Sequence, residues 1–233
     1  MSLKNIKLKT PEYNDTLPST KAAVKFRPFT VAEEKLLLIA SESKDNKQIA
    51  DSMRKIINNC TGLDSNNITY YDIEYLFTKI RAKSVGEVTF VKFNCPHCEH
   101  ENEVEIELDK VDIARTEGHS NTIKIEDNLI FIMKEPQLEI LSLYDDNKNS
   151  VDNTLEIIAN SLKTVQVDDE VIEVNPSEVK EAINLIEQLT SDQFKKINSF
   201  FDTMPKTFID INYNCSSCSE LVEQRLEGMH NFF

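Results

Sequence analysis

The chain has 233 residues, 40% of them hydrophobic and 28% charged, which is enough apolar material for a sizeable core. Its 40 acidic residues outnumber 26 basic ones, for a net charge of -14. That balance argues against nucleic acid or an anionic membrane surface as the main partner, because both recruit Lys and Arg.

Residues 1–24 are polar, hold Pro11 and Pro18 and lack periodicity, so they read as a flexible arm. No apolar run follows Met1, so no signal peptide is expected, and the chain reads as cytoplasmic. A helix is expected from Thr30, where Thr30 and Glu33 form the S/T-x-x-E capping pattern. Leu36, Leu37, Ile39 and Ala40 are its expected apolar face. A second helix is expected over about 46–59, with Ile49, Met53, Ile56, Ile57 and Cys60 at helical spacing. A third covers "YYDIEYLFTKIRAK", with Ile73, Leu76, Phe77 and Ile80 on one side. Together these predict a helical lobe over residues 25–84.

The period then switches to two. "VGEVTFVKFN" and "NEVEIELDKV" read as strands, the second with Val104, Ile106 and Leu108 on one face and Glu103, Glu105 and Glu107 on the other. Residues 112–205 read as a mixed α/β segment. It contains two short strands about Glu126–Asn128, a short helix in "TLEIIANSLKTVQV", and a hairpin turning at Asp168 and Asp169. Two further helices follow, one opened by Pro176 and one stopped before Pro205. The chain returns to strand at "KTFIDINYN".

Catalytic signatures are missing from this pattern. His97, His100, His119 and His230 lie beside no nucleophile motif such as G-x-S-x-G. No G-x-G-x-x-G or G-x-x-x-x-G-K-[ST] phosphate loop occurs among only 4 glycines. "YDDNKNSVDN" lacks the central Gly and closing Glu of a calcium loop, and reads as a plain loop. A non-enzymatic protein is expected.

The distinctive feature is a repeated one. "FNCPHC" at residues 93–98 is echoed by "YNCSSC" at 213–218, each an aromatic, an Asn and a C-x-x-C after an alternating strand. A C-x-x-C turn presents two thiolates from one tight loop, and two such turns supply the four ligands of a structural zinc site. Cys95, Cys98, Cys215 and Cys218 are therefore the candidate zinc ligands, with no open position for an activated water. His97 and His100 are the substitute ligands nearest by. Competing readings are a relic site without metal, a redox C-x-x-C and a pair of disulfides. Residues 99–214 separate the two pairs, far more than in an ordinary zinc ribbon, so a folded insertion is required. The expected fold class is α+β: an N-terminal helical lobe plus a zinc-ribbon-like β unit over 85–233, with 112–205 inserted. Cys60, on the second helix, reads as a core residue.

"KFRPFTVAEEKLLLIASESKD" from Lys25, "YDIEYLFTKIRAKSVGEV" from Tyr71 and the following β segment with "CPHC" together resemble the baseplate hub subunit family of T-even-type tailed phages. The resemblance covers roughly residues 22–111, and the rest matches in general plan with its C-terminal C-x-x-C. It implies an assembly or structural role in the phage baseplate, with other tail and baseplate proteins as partners. It also implies a location in the host cytoplasm during assembly, and leaves open whether the subunit stays in the virion tail or acts only during assembly. The runner-up is a zinc-ribbon adaptor for nucleic acid or a transcription complex, followed by a thiol oxidoreductase. The acids from Glu99 to Glu107 disfavour the adaptor.

Overall fold

The computed structural model describes residues 8–43, 45–138 and 150–228, in an α+β arrangement. A short hairpin, β1 (Tyr13–Thr16) and β2 (Ala23–Phe26), comes first. This corrects the expectation of a flexible arm through residue 24 for the part from Tyr13 onward. The hairpin is held from outside itself. Buried Asp72 accepts from the Ser19 backbone N–H at 2.9 Å and from the Ser19 hydroxyl, and the Tyr75 hydroxyl donates to Asp15 at 3.1 Å. Leu17, Val24 and Phe26 are buried beneath it.

Three helices follow: α1 (Val31–Ser43), α2 (Asn46–Thr61) and α3 (Tyr70–Val85). Their ends obey capping chemistry. Asp45 accepts from the N–H groups of Lys47 and Gln48 at the start of α2, and Gly62, at φ 74°, closes it in the left-handed region. The Thr69 hydroxyl caps α3. At α1 the pattern is half realised. The Glu33 carboxylate accepts from the Thr30 N–H at 2.7 Å, while the Thr30 hydroxyl donates to Glu33 instead of accepting from the helix.

The inward side of α1 differs from expectation. Glu33, Leu37 and Ala40, at i, i+4 and i+7, face the protein, whereas Val31, Leu36, Leu38 and Ile39 are exposed. Leucine and isoleucine occur almost all round this helix, so periodicity alone leaves its rotation open. The pairing of Glu33 with Arg27, at 2.7 and 2.9 Å, sets it.

After α3 the chain forms the hairpin β3 (Val88–Asn94) and β4 (Glu101–Glu107). Val104 and Ile106 of β4 point inward and its four glutamates outward, as the alternation predicts. Short β5 (Asp112–Ala114) pairs with β10 (Lys206–Asn214), which also pairs with β11 (Leu221–Glu227). Ala114 lies opposite Lys206, so the strands leading into and out of residues 115–205 run side by side.

Those residues build an antiparallel sheet in the order β6 (Thr122–Glu126), β7 (Leu129–Met133), β8 (Leu162–Val167), β9 (Glu170–Glu173). Helices α4 (Ser150–Ser161), α5 (Val179–Ile186) and α6 (Ser191–Thr203) complete the segment. "YDDNKNSVDN" falls partly outside the described residues, and its last four residues open α4.

Three large apolar cores result among the described residues, beside a small cluster at the cysteines. One lies among β1–β2, α2 and α3 around Met53, Ile56, Ile57, Ile73 and Leu76. A second lies between the β6–β9 sheet and its helices around Phe131, Ile197 and Phe200. A third joins Ala82 of α3 to Val104, Ile106, Ile209, Ile211 and Leu226 of the two hairpins. Each fully buried Ile, Leu or Met contributes roughly 1.5–3 kcal/mol. Helix α3 serves both the first and the third core, and its buried Glu74 accepts a hydrogen bond from Thr207 of β10 at 2.7 Å.

Candidate metal centre

The two C-x-x-C turns sit at the tips of β3–β4 and β10–β11 and repeat one backbone design. In the first, the Cys95 N–H donates to His100 O, the Glu99 N–H to Cys95 O, and the His97 N–H to Cys95 Sγ at 3.4 Å. In the second, the Cys215 N–H donates to Glu220 O, the Ser219 N–H to Cys215 O, and the Ser217 N–H to Cys215 Sγ at 3.4 Å. Glu99 and Ser219 occupy the same left-handed position, at φ 60° and 61°. The bend points a backbone N–H at the first sulfur of each pair.

The third core brings these tips together. Cys95 Sγ lies 3.7 Å from Cys218 Sγ, Cys98 Sγ lies 3.6 Å from Cys215 Sγ, and all four sulfurs lie within 4.8 Å of one another. Covalent S–S bonding needs about 2.05 Å, so these are four free thiols. A tetrahedral site with metal–sulfur bonds of about 2.3 Å has sulfur–sulfur edges of about 3.8 Å. The two short edges fit that spacing, and the all-sulfur donor set suits zinc or another soft-ligand metal. Cys95 and Cys215 are buried, Cys218 is half-buried and Cys98 is exposed.

Electrostatics also suits a cation. The backbone N–H of Cys218, with those of Ser217 and the Asn102 amide, lowers the Cys215 thiol to about 5. Cys218 is pulled down by the backbone N–H of Glu220, but burial and the three neighbouring sulfurs outweigh this and push it up to about 12. One thiolate forms readily, and a second one within 4.8 Å repels it. A divalent ion relieves that repulsion. His97 and His100 are both exposed and lie outside the four-sulfur group.

Asn102 joins the two turns and was not singled out from the sequence. Its side chain, on β4, donates to His100 O at 2.9 Å and reaches Cys215 Sγ at 3.6 Å. Its carbonyl oxygen accepts from the Ser216 N–H and hydroxyl, each at 2.9 Å. A signal existed: Asn102 occupies the inward phase of β4 with Val104 and Ile106, and an amide there needs partners. Replacing Asn102 with Ala strands the Ser216 donors and loosens the fit between the tips. A loss of about 1–3 kcal/mol in urea unfolding is expected, with metal affinity lowered about 10–100-fold.

Two other candidates take ordinary structural roles. Cys60 is buried in the first core, where burial and then Glu33 push its thiol up to about 11. His119 Nδ1 lies 2.9 Å from Thr203 Oγ1, with its ring against Phe200. No described helix is long and apolar enough to cross a membrane.

The family model described as T4 bacteriophage base plate protein matches residues 10–233. No curated protein and no solved structure matches the chain.

Proposed function

The chain belongs to the T4 bacteriophage base plate protein family, and from that premise we propose that it builds or assembles the central hub of the tail baseplate through protein–protein contacts. The match across nearly the whole chain supports a baseplate role, and with it other tail and baseplate proteins as partners; the hub rests on the resemblance of residues 22–111. The exposed apolar residues Val31, Leu38 and Ile39 of α1 support a molecule that works by docking. So does the outward row of Glu101, Glu103, Glu105 and Glu107 on β4, which offers a negative face to a basic neighbour and a poor one to nucleic acid.

Within that role the four cysteines act as a structural clip. Cys95, Cys98, Cys215 and Cys218 would hold one Zn²⁺, whose contribution is to bind the two hairpin tips across the long intervening segment. Four thiolates would fill its coordination sphere, so the part assigned to it is mechanical.

Two measurements test these proposals separately. Elemental analysis of the purified chain should find about one zinc per molecule, released by a thiol-reactive agent; a metal-free, fully folded protein would sink the clip. Immobilised protein should capture at least one neighbouring baseplate or tail protein of the same phage. Failure to bind any of them would overturn the hub reading whatever the metal content.

A further inference from the structure

The four-stranded sheet has two edges that differ in kind. On β6 the pairing slips between Lys124 and Glu126, and Lys196 of α6 donates to the carbonyl oxygens of Lys124 and Ile125. A bulge and a lysine across the edge are ordinary means of blocking further strand addition. On β9 neither is present. Its four residues are all exposed, with Val171 63% and Ile172 52% accessible.

Register tells which backbone groups β9 leaves open. Val167 pairs with Glu170, Val165 with Ile172, and the Val174 N–H donates to Lys163 O. In an antiparallel ladder hydrogen-bonded pairs alternate, so Glu170, Ile172 and Val174 face β8. The N–H and C=O of Val171 and Glu173 point away from the sheet, and no described residue bonds to them.

Beside this edge, between β9 and α5, lies a groove of about 270 Å³. Leu162, Val165, Ala182 and Leu185 line it, and Ile172 forms its lip. A strand added to β9 would turn alternate side chains towards this groove. Glu173, Glu178 and Glu181 line it as well, and Asp168, Asp169 and Glu170 stand at the β8–β9 turn and the start of β9, against Lys163 and Lys180 in the same stretch.

We propose that β9 is an acceptor edge for an extended, basic segment of a neighbouring baseplate protein, which pairs with Val171 and Glu173 and sets alternate apolar side chains into the groove beside α5. A second copy of this chain is the poorer occupant. Two copies joined at this edge would bring together two stretches that each hold Asp168, Asp169, Glu170, Glu173, Glu178 and Glu181, and like charges oppose that. Main-chain bonds would supply affinity, and the groove and carboxylates would supply selectivity. The inference rests on the proposal that the chain works by binding neighbours, and is independent of the metal.

The test uses the full chain and its Val171→Pro variant. The Val171 N–H lies outside the β8–β9 ladder, so proline removes an outward donor and no sheet bond. Overlapping synthetic peptides covering the tail proteins of the same phage are the probes. Captured peptides should be basic with alternating apolar residues, bind about tenfold or more weakly to the variant, and weaken as salt is raised. Amide shifts on binding should centre on residues 170–174. Equal capture by the variant, acidic captured peptides, or no capture would each overturn the acceptor edge. If the variant still binds intact tail proteins like the wild type, this inference fails and the hub proposal stands. If the wild type binds none, the hub proposal itself fails.

Discussion

Cys95→Ser and Cys215→Ser are each expected to lose the metal and to lower unfolding stability by on the order of 5 kcal/mol, the largest single-residue effect anticipated in this chain. The reason is the poverty of other contacts at the hairpin tips. Among the described residues only Val222 and Tyr213 add apolar packing around the four sulfurs, and Cys98 is open to water. The turns are short, bent at Glu99 and Ser219, and joined to each other chiefly through Asn102. Without a metal, the loosened thiolates repel one another. Thermal melting with and without chelator, together with hydrogen exchange, reads the effect. Protection should fall in β3–β4 and β10–β11, while the Phe131 and Phe200 core of the β6–β9 sheet keeps its own. Cys60→Ala is the control, since that thiol lies in another core and its loss should leave metal content unchanged. A Cys95→Ser protein that melts at the wild-type temperature would refute the clip.

Arg27→Ala should cost about 3–5 kcal/mol, because it leaves Glu33 ionised and buried without its cation. The Glu33 side chain is 8% exposed, against 24% for Arg27. The Arg27 guanidinium donates to both carboxylate oxygens, and with the Thr30 N–H and hydroxyl it holds the Glu33 carboxyl down at about 2 against the burial that opposes it. The folded value lies below the unfolded one, so the contribution is complete above about pH 4.5. It is lost as the pH falls through about 2. Its size is about 3 kcal/mol at neutral pH. Urea unfolding at pH 6 and pH 3, for wild type and Glu33→Gln, isolates it from other acid-sensitive groups. The wild type should lose its advantage over the variant on acidification, and an unchanged difference would contradict the assignment. The same pair orients α1, so Arg27→Ala should also raise the exchange rate of its amides.

Some of this architecture was legible in residue order because its causes are local. The second and third helices follow from apolar spacing over a few residues, and the β4 alternation shows its buried face directly. The hairpin turn at Asp168 is of the same kind. The hairpin β1–β2 was not legible. Its residues carry weak strand signals, and Asp72 and Tyr75, more than fifty positions later, hold it in place.

The α+β class and the paired cysteine turns follow from periodicity and spacing, which are properties of neighbouring residues. That sulfurs on either side of residues 99–214 stand 3.6 and 3.7 Å apart does not follow from spacing. It depends on Ala114 meeting Lys206, and on one core joining α3 to both hairpins. The rotation of α1, the bridging by Asn102 and the open edge of β9 are of that second kind. Each is settled by a partner distant in the chain, whose position local propensity does not specify.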